Sequence, residues 1–399
     1  MTNMSSNRPT IPTEEFKERL AKVQQAMAEE GLDVVVVYGD DRAAFGQQNT
    51  RWIIDYAPHF EAVCLAIPAE GTPQAATGAE MEAFLANNSR LGDVIAINEF
   101  CNPDEEYPYS TPVPFAKFVE RVEGQLGHKI RKVGVIERIW MPEWLIKAWE
   151  GVVPAAAIVP FDKRWYEIKS IKSPAEIEVI KYAYVLAEAG LAAGVAAIAP
   201  GVTEREIAAE IEYAMRTLGS EGTGIDTIVG SGAKHTRTIL TRAYFRELEP
   251  NDLVVLTIAP RYEGYHAAIG RPYIVSGEPT PEMVHAAKTS VDAYDAIVEK
   301  LRAGAVARDV VEAGLDVYKR EGLLEHCVYS GNHSVGTAEF EPPILTSDSD
   351  LVLEENMVIS VDVPMFFAEW GGMRYEDGYL VTPGAPLKLN KTPTIPLGV

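Results

Sequence analysis

The second half of the chain repeats itself at an offset of 103 residues, which restricts it to a domain built from two matched halves. Gly201-Val202-Thr203-Glu204-Arg205-Glu206-Ile207 aligns with Gly304-Ala305-Val306-Ala307-Arg308-Asp309-Val310, and Gly219 falls on Gly322. A long helix-forming stretch precedes each copy, starting at Pro174 and at Pro281. Ser173-Pro174-Ala175-Glu176 joins a capping serine, a proline at the first helical position and a glutamate that reaches back to the cap, so a helix is expected to about Ile198. Thr203 with Glu206 opens a second helix, which Gly219 closes. Both copies continue into a glycine-rich turn bearing a histidine, Ser231 to His235 and Ser330 to His333. Strand pairs follow, Leu253 to Val275 and Met357 to Thr382. The expectation is a duplicated helix-helix-hairpin unit, with a pocket between the halves that draws residues from both.

Ahead of the repeat the pattern changes. Phe16, Leu20, Val23 and Met27 fall at helical spacing, and Leu32 to Tyr38 is a continuous apolar run of strand length. Further strands are expected at Ala62 to Ile67, Val94 to Ile97 and Lys132 to Ile136, with helices near Met81 and Pro114. In a chain of 399 residues this gives two domains, 1–169 and 170–399, in an α/β (α+β) class.

The chain carries 36 Lys and Arg against 58 Asp and Glu, a net charge of −22 that repels nucleic acid. No apolar stretch reaches the roughly 20 residues of a membrane span, so no membrane partner is expected. Cys64, Cys101 and Cys327 are widely spaced, fit a reducing compartment and read as small buried residues. The N-terminus shows no secretory pattern, and a cytoplasmic location is expected.

The chemistry-bearing residues lie in the two hairpins and the histidine turns. Thr257 to Arg271 reads like a metal-site hairpin stripped of its carboxylates, whereas Met357 to Thr382 keeps Asp362 and Glu376. Two close carboxylates on facing strands either raise one pKa or demand a cation, which points to a small cationic substrate. The alternative is an ion pair with Arg374 or Arg271. His235 is either a pocket residue or a surface histidine, and His333 either acts in the pocket or donates to the backbone of its turn. His266 follows Gly264-Tyr265 on the strand opposite Thr257 and points either in or out. Glu339 and Glu341 bracket Phe340 in a loop where solvated charge is the usual meaning.

The helix start at Ile171 to Ile177, the His-Ser-Val-Gly turn at His333 and Arg374-Tyr375-Glu376-Asp377 together resemble the creatinase, prolidase and aminopeptidase P superfamily. The resemblance implies a pita-bread catalytic domain behind a smaller creatinase-like N-terminal domain. It also implies that the positions of the family's five metal ligands fall on Thr257, Ala268, His333, Asp362 and Glu376, with a further family histidine falling on Phe340. Thr and Ala cannot bridge two cations. The resemblance therefore leads to the metal-free creatinase-like branch, with no metal and no cofactor. In that branch His235 carries the proton, with His333 and Glu376 beside it as catalytic residues. Asp362, His266, Thr257, Glu341 and Arg374 would bind substrate. The resulting expectation is a homodimeric, metal-independent hydrolase cleaving a non-peptide C–N bond of a guanidino or cyclic amidine compound. The runner-up is an Xaa-Pro aminopeptidase or dipeptidase retaining one metal at His333, Asp362 and Glu376, and the third reading is a non-catalytic binding protein.

Overall fold

The computed structural model describes residues 8–395 and 397. The chain divides into two compact units, Ile11–Lys169 and Ser170 onward, the latter joined by the short segment ahead of Ile11.

The first unit is a six-stranded sheet in the order Asp93–Ala96, Gln74–Thr77, Val63–Pro68, Val34–Gly39, Val133–Val135, Ile158–Pro160. Its centre explains the unbroken apolar run in the sequence. Val35 and Val37 pack into one core with helix Thr13–Glu30, and Val34 and Val36 into another with helices Phe115–Leu126 and Glu143–Glu150. A strand covered on both faces carries no alternation. The expected strands and helices are present. Helices Gln48–Ile54 and Glu143–Glu150 and strands Gln74–Thr77 and Ile158–Pro160 are additions, all too short to build up a periodic signal.

In the second unit, helix Pro174–Ala197 starts on the reciprocal Ser173–Glu176 capping box and helix Glu204–Leu218 on the Thr203–Glu206 box, ending at Gly219 with φ 112°. The matching pair is Pro281–Lys300, capped by Thr280, and Ala307–Arg320. By length and composition Pro174–Ala197 could cross a membrane, which corrects the reading that no stretch qualifies. Here it is a core helix: Gly190 and Gly194 let Met215 and Ile211 of the partner helix approach closely.

The eight-stranded sheet carries the duplication. Its order is Glu341–Ile344, Asn332–Ser334, Val358–Ala368, Gly371–Leu380, Ile269–Ile274, Leu253–Ile258, Ile228–Ser231, with Leu387–Lys388 beside Gly371–Leu380. Two hairpins meet at its middle through the pair Gly270↔Glu376, and each is flanked outside by a short strand of its own half. Val361, Val363, Met365, Met373, Tyr375 and Tyr379 join the core with helices Pro281–Lys300 and Ala307–Arg320. Strand alternation then puts Ser360, Asp362, Arg374 and Glu376 on the other face.

Candidate active site

One row of register partners crosses the middle of this sheet: Ile228, Thr257, Gly270, Glu376, Asp362. Directly paired residues project to the same face, so the Asp362 half of the row is acidic while the Thr257 half offers only a hydroxyl. Gly270 makes room: a Cβ there would fall 2.8 Å from Arg374 Cγ and 3.1 Å from Glu376 Cβ.

His333 stands on strand Asn332–Ser334, not in a turn as the sequence reading had it. Its Nδ1 lies 3.0 Å from the Ser334 carbonyl, which accepts the Nδ1–H and leaves Nε2 facing Glu376 Oε1 at 3.7 Å. Glu339 completes a buried group with these two, the ligand atoms of all three lying within 4.8 Å of one another. Ser360 Oγ donates to Glu376 Oε1 at 2.8 Å, whereas buried Glu376 Oε2 has no hydrogen-bond partner. Phe340 covers the histidine, with ring centroids 4.5 Å apart.

The charges respond to burial and to one another. Burial pulls the His333 imidazole down, yet Glu376 and Glu339 push it up to about 9. Burial alone would raise Glu376, but His333 and Arg374 hold it below the ordinary glutamate value. Glu339 is raised, first by burial and then by the charge of Glu376. Asp362 is raised by burial against the pull of Arg374. Its Oδ2 accepts from Tyr329 Oη at 2.6 Å, and its Oδ1 lies 3.1 Å from Arg374 Nε in a charge contact without hydrogen-bond alignment. Arg374 also donates to Tyr329 Oη at 2.5 Å. Thus the cation demanded by two facing carboxylates is supplied by the protein itself, through Arg374 and His333. That removes the physical argument for a cationic substrate.

His235 sits on the short helix Gly232–Thr236, where Nδ1 lies 2.8 Å from Glu204 Oε1; it is absent from the His333 cluster. Glu204 is fully buried and also accepts from Ser231 N, Ser231 Oγ and Tyr244 N. His266 is not opposite Thr257. It pairs with Arg261 in a separate three-stranded sheet and is buried, with Nδ1 3.2 Å from the Gly336 carbonyl. Glu341 lies in an ion pair with Lys172 at 2.8 Å, both buried, which anchors the loop and keeps this carboxylate out of the cluster. Neither acid beside Phe340 is solvated. Thr257 and Ala268 are both buried.

Tyr329 and Glu204 were not singled out in the sequence, and Glu339, read there as solvated charge, is buried in the cluster. Glu206 takes the capping role, while Glu204 two residues before it is fully buried. Nothing local separates Glu339 from Glu341, because the loop has no periodicity.

A two-cation site needs bridging carboxylates, and the donors present do not fit one, since Thr257 and Ala268 supply none. The imidazole and two carboxylates of the buried cluster do fit a single divalent ion.

The sequence profile of metallopeptidase family M24 matches residues 178–383, and that of the creatinase/prolidase N-terminal domain matches residues 19–171. The Xaa-Pro dipeptidase of Pyrococcus furiosus is 31% identical over 228 residues, 57% of this chain; the matched region spans 64% of that protein's length. In fold, the prolidase of Pyrococcus horikoshii superposes with a TM-score of 0.79 at 24% identity, covering 94% of this chain and 99% of that one. An X-Pro aminopeptidase from Thermotoga maritima gives 0.80 at 23% identity, covering 94% and 98%. These similarities overturn the expectation of a metal-independent hydrolase of guanidino or cyclic amidine compounds: the relatives are Xaa-Pro dipeptidases, and the metal-free creatinase-like branch finds no support. They agree with the two-domain architecture of a creatinase-like N-terminal domain and a C-terminal pita-bread domain. The chain belongs to metallopeptidase family M24.

Proposed function

We propose that this protein hydrolyses Xaa-Pro dipeptides. The observation that carries the reading is the buried His333, Glu339 and Glu376 cluster, which lies inside the segment matched by the M24 profile and on the sheet where both halves meet. The Xaa-Pro dipeptidase relatives give the substrate class.

A divalent ion held at His333 and Glu376 would polarise the scissile carbonyl and acidify the attacking water. The chain supplies the rest. The Ser334 carbonyl fixes the His333 tautomer with Nε2 toward the site. Glu376 stays ionised beside His333 and Arg374, and Ser360 orients its Oε1. Phe340 screens the imidazole from water. A proton-delivery role for His235 belongs to the same proposal, supported by Glu204, which accepts its Nδ1–H and leaves Nε2 available, although His235 stands outside the His333 cluster. A homodimer belongs to the same proposal, tested by light scattering against the mass of one chain.

The test is proline release from a panel of Xaa-Pro dipeptides. The wild type is expected to turn them over. His235→Gln should lower kcat by about 10²–10⁴, the usual contribution of a proton-transfer group. Absence of turnover across the panel with metal supplied would reject the reading.

A further inference from the structure

We propose that this site takes one divalent cation rather than two, and that Glu339 is one of its ligands, replacing the carboxylates absent at Thr257 and Ala268. The inference relies on the peptidase reading only for the use of a cation.

Across the central row, the first half of the duplication presents Ile228, Thr257 and Gly270, none of them a carboxylate. Acid is restored from a different element. The loop between strands Asn332–Ser334 and Glu341–Ile344 is held down at its far end by Glu341, which accepts from Lys172 Nζ at 2.8 Å and from Ala338 N at 3.2 Å. Two glycines let it settle. A Cβ on Gly336 would fall 2.2 Å from Glu341 Oε1, and one on Gly224 would fall 3.1 Å from Glu339 Cβ and 2.5 Å from His266 Cδ2. Seated in this cradle, the Glu339 side chain is directed at His333 and Glu376.

Asp362 is kept out of the group. Tyr329 Oη donates to its Oδ2, and the Arg374 guanidinium, its stem lying over Gly270, neutralises its Oδ1 as a charge contact at 3.1 Å without a hydrogen bond. The polar atoms left over point to a ligand. Glu376 Oε2 is buried without a hydrogen bond, and among the described residues none donates a hydrogen bond to Glu339, which is only 8% exposed. A buried carboxylate oxygen without a donor is costly, and a cation bound between Glu376, Glu339 and His333 Nε2 would satisfy it. One imidazole nitrogen with carboxylate oxygens suits Zn²⁺, Mn²⁺ or Co²⁺.

The experiment is calorimetric titration of Mn²⁺ into chelator-treated, dialysed protein, with circular dichroism to verify folding of each variant. The wild type is expected to bind one ion per chain. Glu339→Gln should weaken binding by at least about tenfold, the loss that even outer residues of metal sites cause, while Asp362→Asn keeps one ion. Should Glu339→Gln not fold, wild-type crystals soaked in Mn²⁺ decide, with one anomalous peak expected in contact with the Glu339 carboxylate. Two ions per wild-type chain, none at all, unchanged binding in Glu339→Gln, or a peak away from Glu339 would overturn the assignment. Proline release is scored separately. One ion bound through Glu339 without turnover would remove the peptidase reading and leave this ligand set standing; turnover with two ions would do the reverse.

Discussion

At the scale of residues, adjacent positions on one strand do opposite jobs. Glu376 faces the cluster, while Asp377 points into the core and is saturated by Arg271 at 2.8 Å, Lys388 at 3.0 Å, Tyr294 at 2.7 Å and Asn390 at 2.7 Å. The choice between a site carboxylate and a sheet-holding ion pair therefore divides between neighbours: Arg271 holds the sheet and Arg374 serves the site. Breaking one side of such a buried pair strands a charge, so Arg271→Met is expected to destabilise by about 3 kcal/mol or more, read from chemical denaturation. A second residue gives a pH signature. Burial tends to raise Asp33, but the Arg131 side chain and the backbone N–H groups of Arg131 and Lys132 bring it below the ordinary aspartate value. A depressed folded pKa contributes stability above the unfolded value and loses it as pH falls through the folded one. Asp33→Asn should therefore be less stable than the wild type near neutrality, and the difference should shrink as pH falls below about 4.

At the scale of elements, local chemistry was legible wherever a single motif decides the outcome. Both capping boxes form as the residues require, and Thr203→Ala is expected to cost about 1 kcal/mol, measured as a lowered denaturation midpoint. Glycines placed against bulky neighbours were not legible, because the neighbour comes from a distant element. Gly378 is the sharpest instance: a Cβ there would fall 1.9 Å from Tyr184 Oη of helix Pro174–Ala197. Gly378→Ala should overpack this contact and destabilise by about 1–3 kcal/mol. The same reason hid Glu339, whose neighbours His333 and Glu376 approach through tertiary packing, and misplaced His266, whose strand leaves the main sheet at the hairpin tip.

For the molecule as a whole, the 103-residue repeat disclosed the architecture of the second unit, since matched capping and turn signals survive where side-chain identity does not. Its chemistry was harder to read. Loss of acid at Thr257 and Ala268 was visible, and abandonment of metal was inferred from it; the fold instead shows an acid from the neighbouring loop brought to His333 and Glu376, and cations of the chain itself neutralising Asp362. An account based on one repaired ion site in an M24 peptidase is tested most directly by following proline release from an Xaa-Pro dipeptide as chelator-treated protein is titrated with Mn²⁺. Turnover should rise and level off at one equivalent per chain. No proline release at any Mn²⁺ level, or a plateau only at two equivalents, would contradict it.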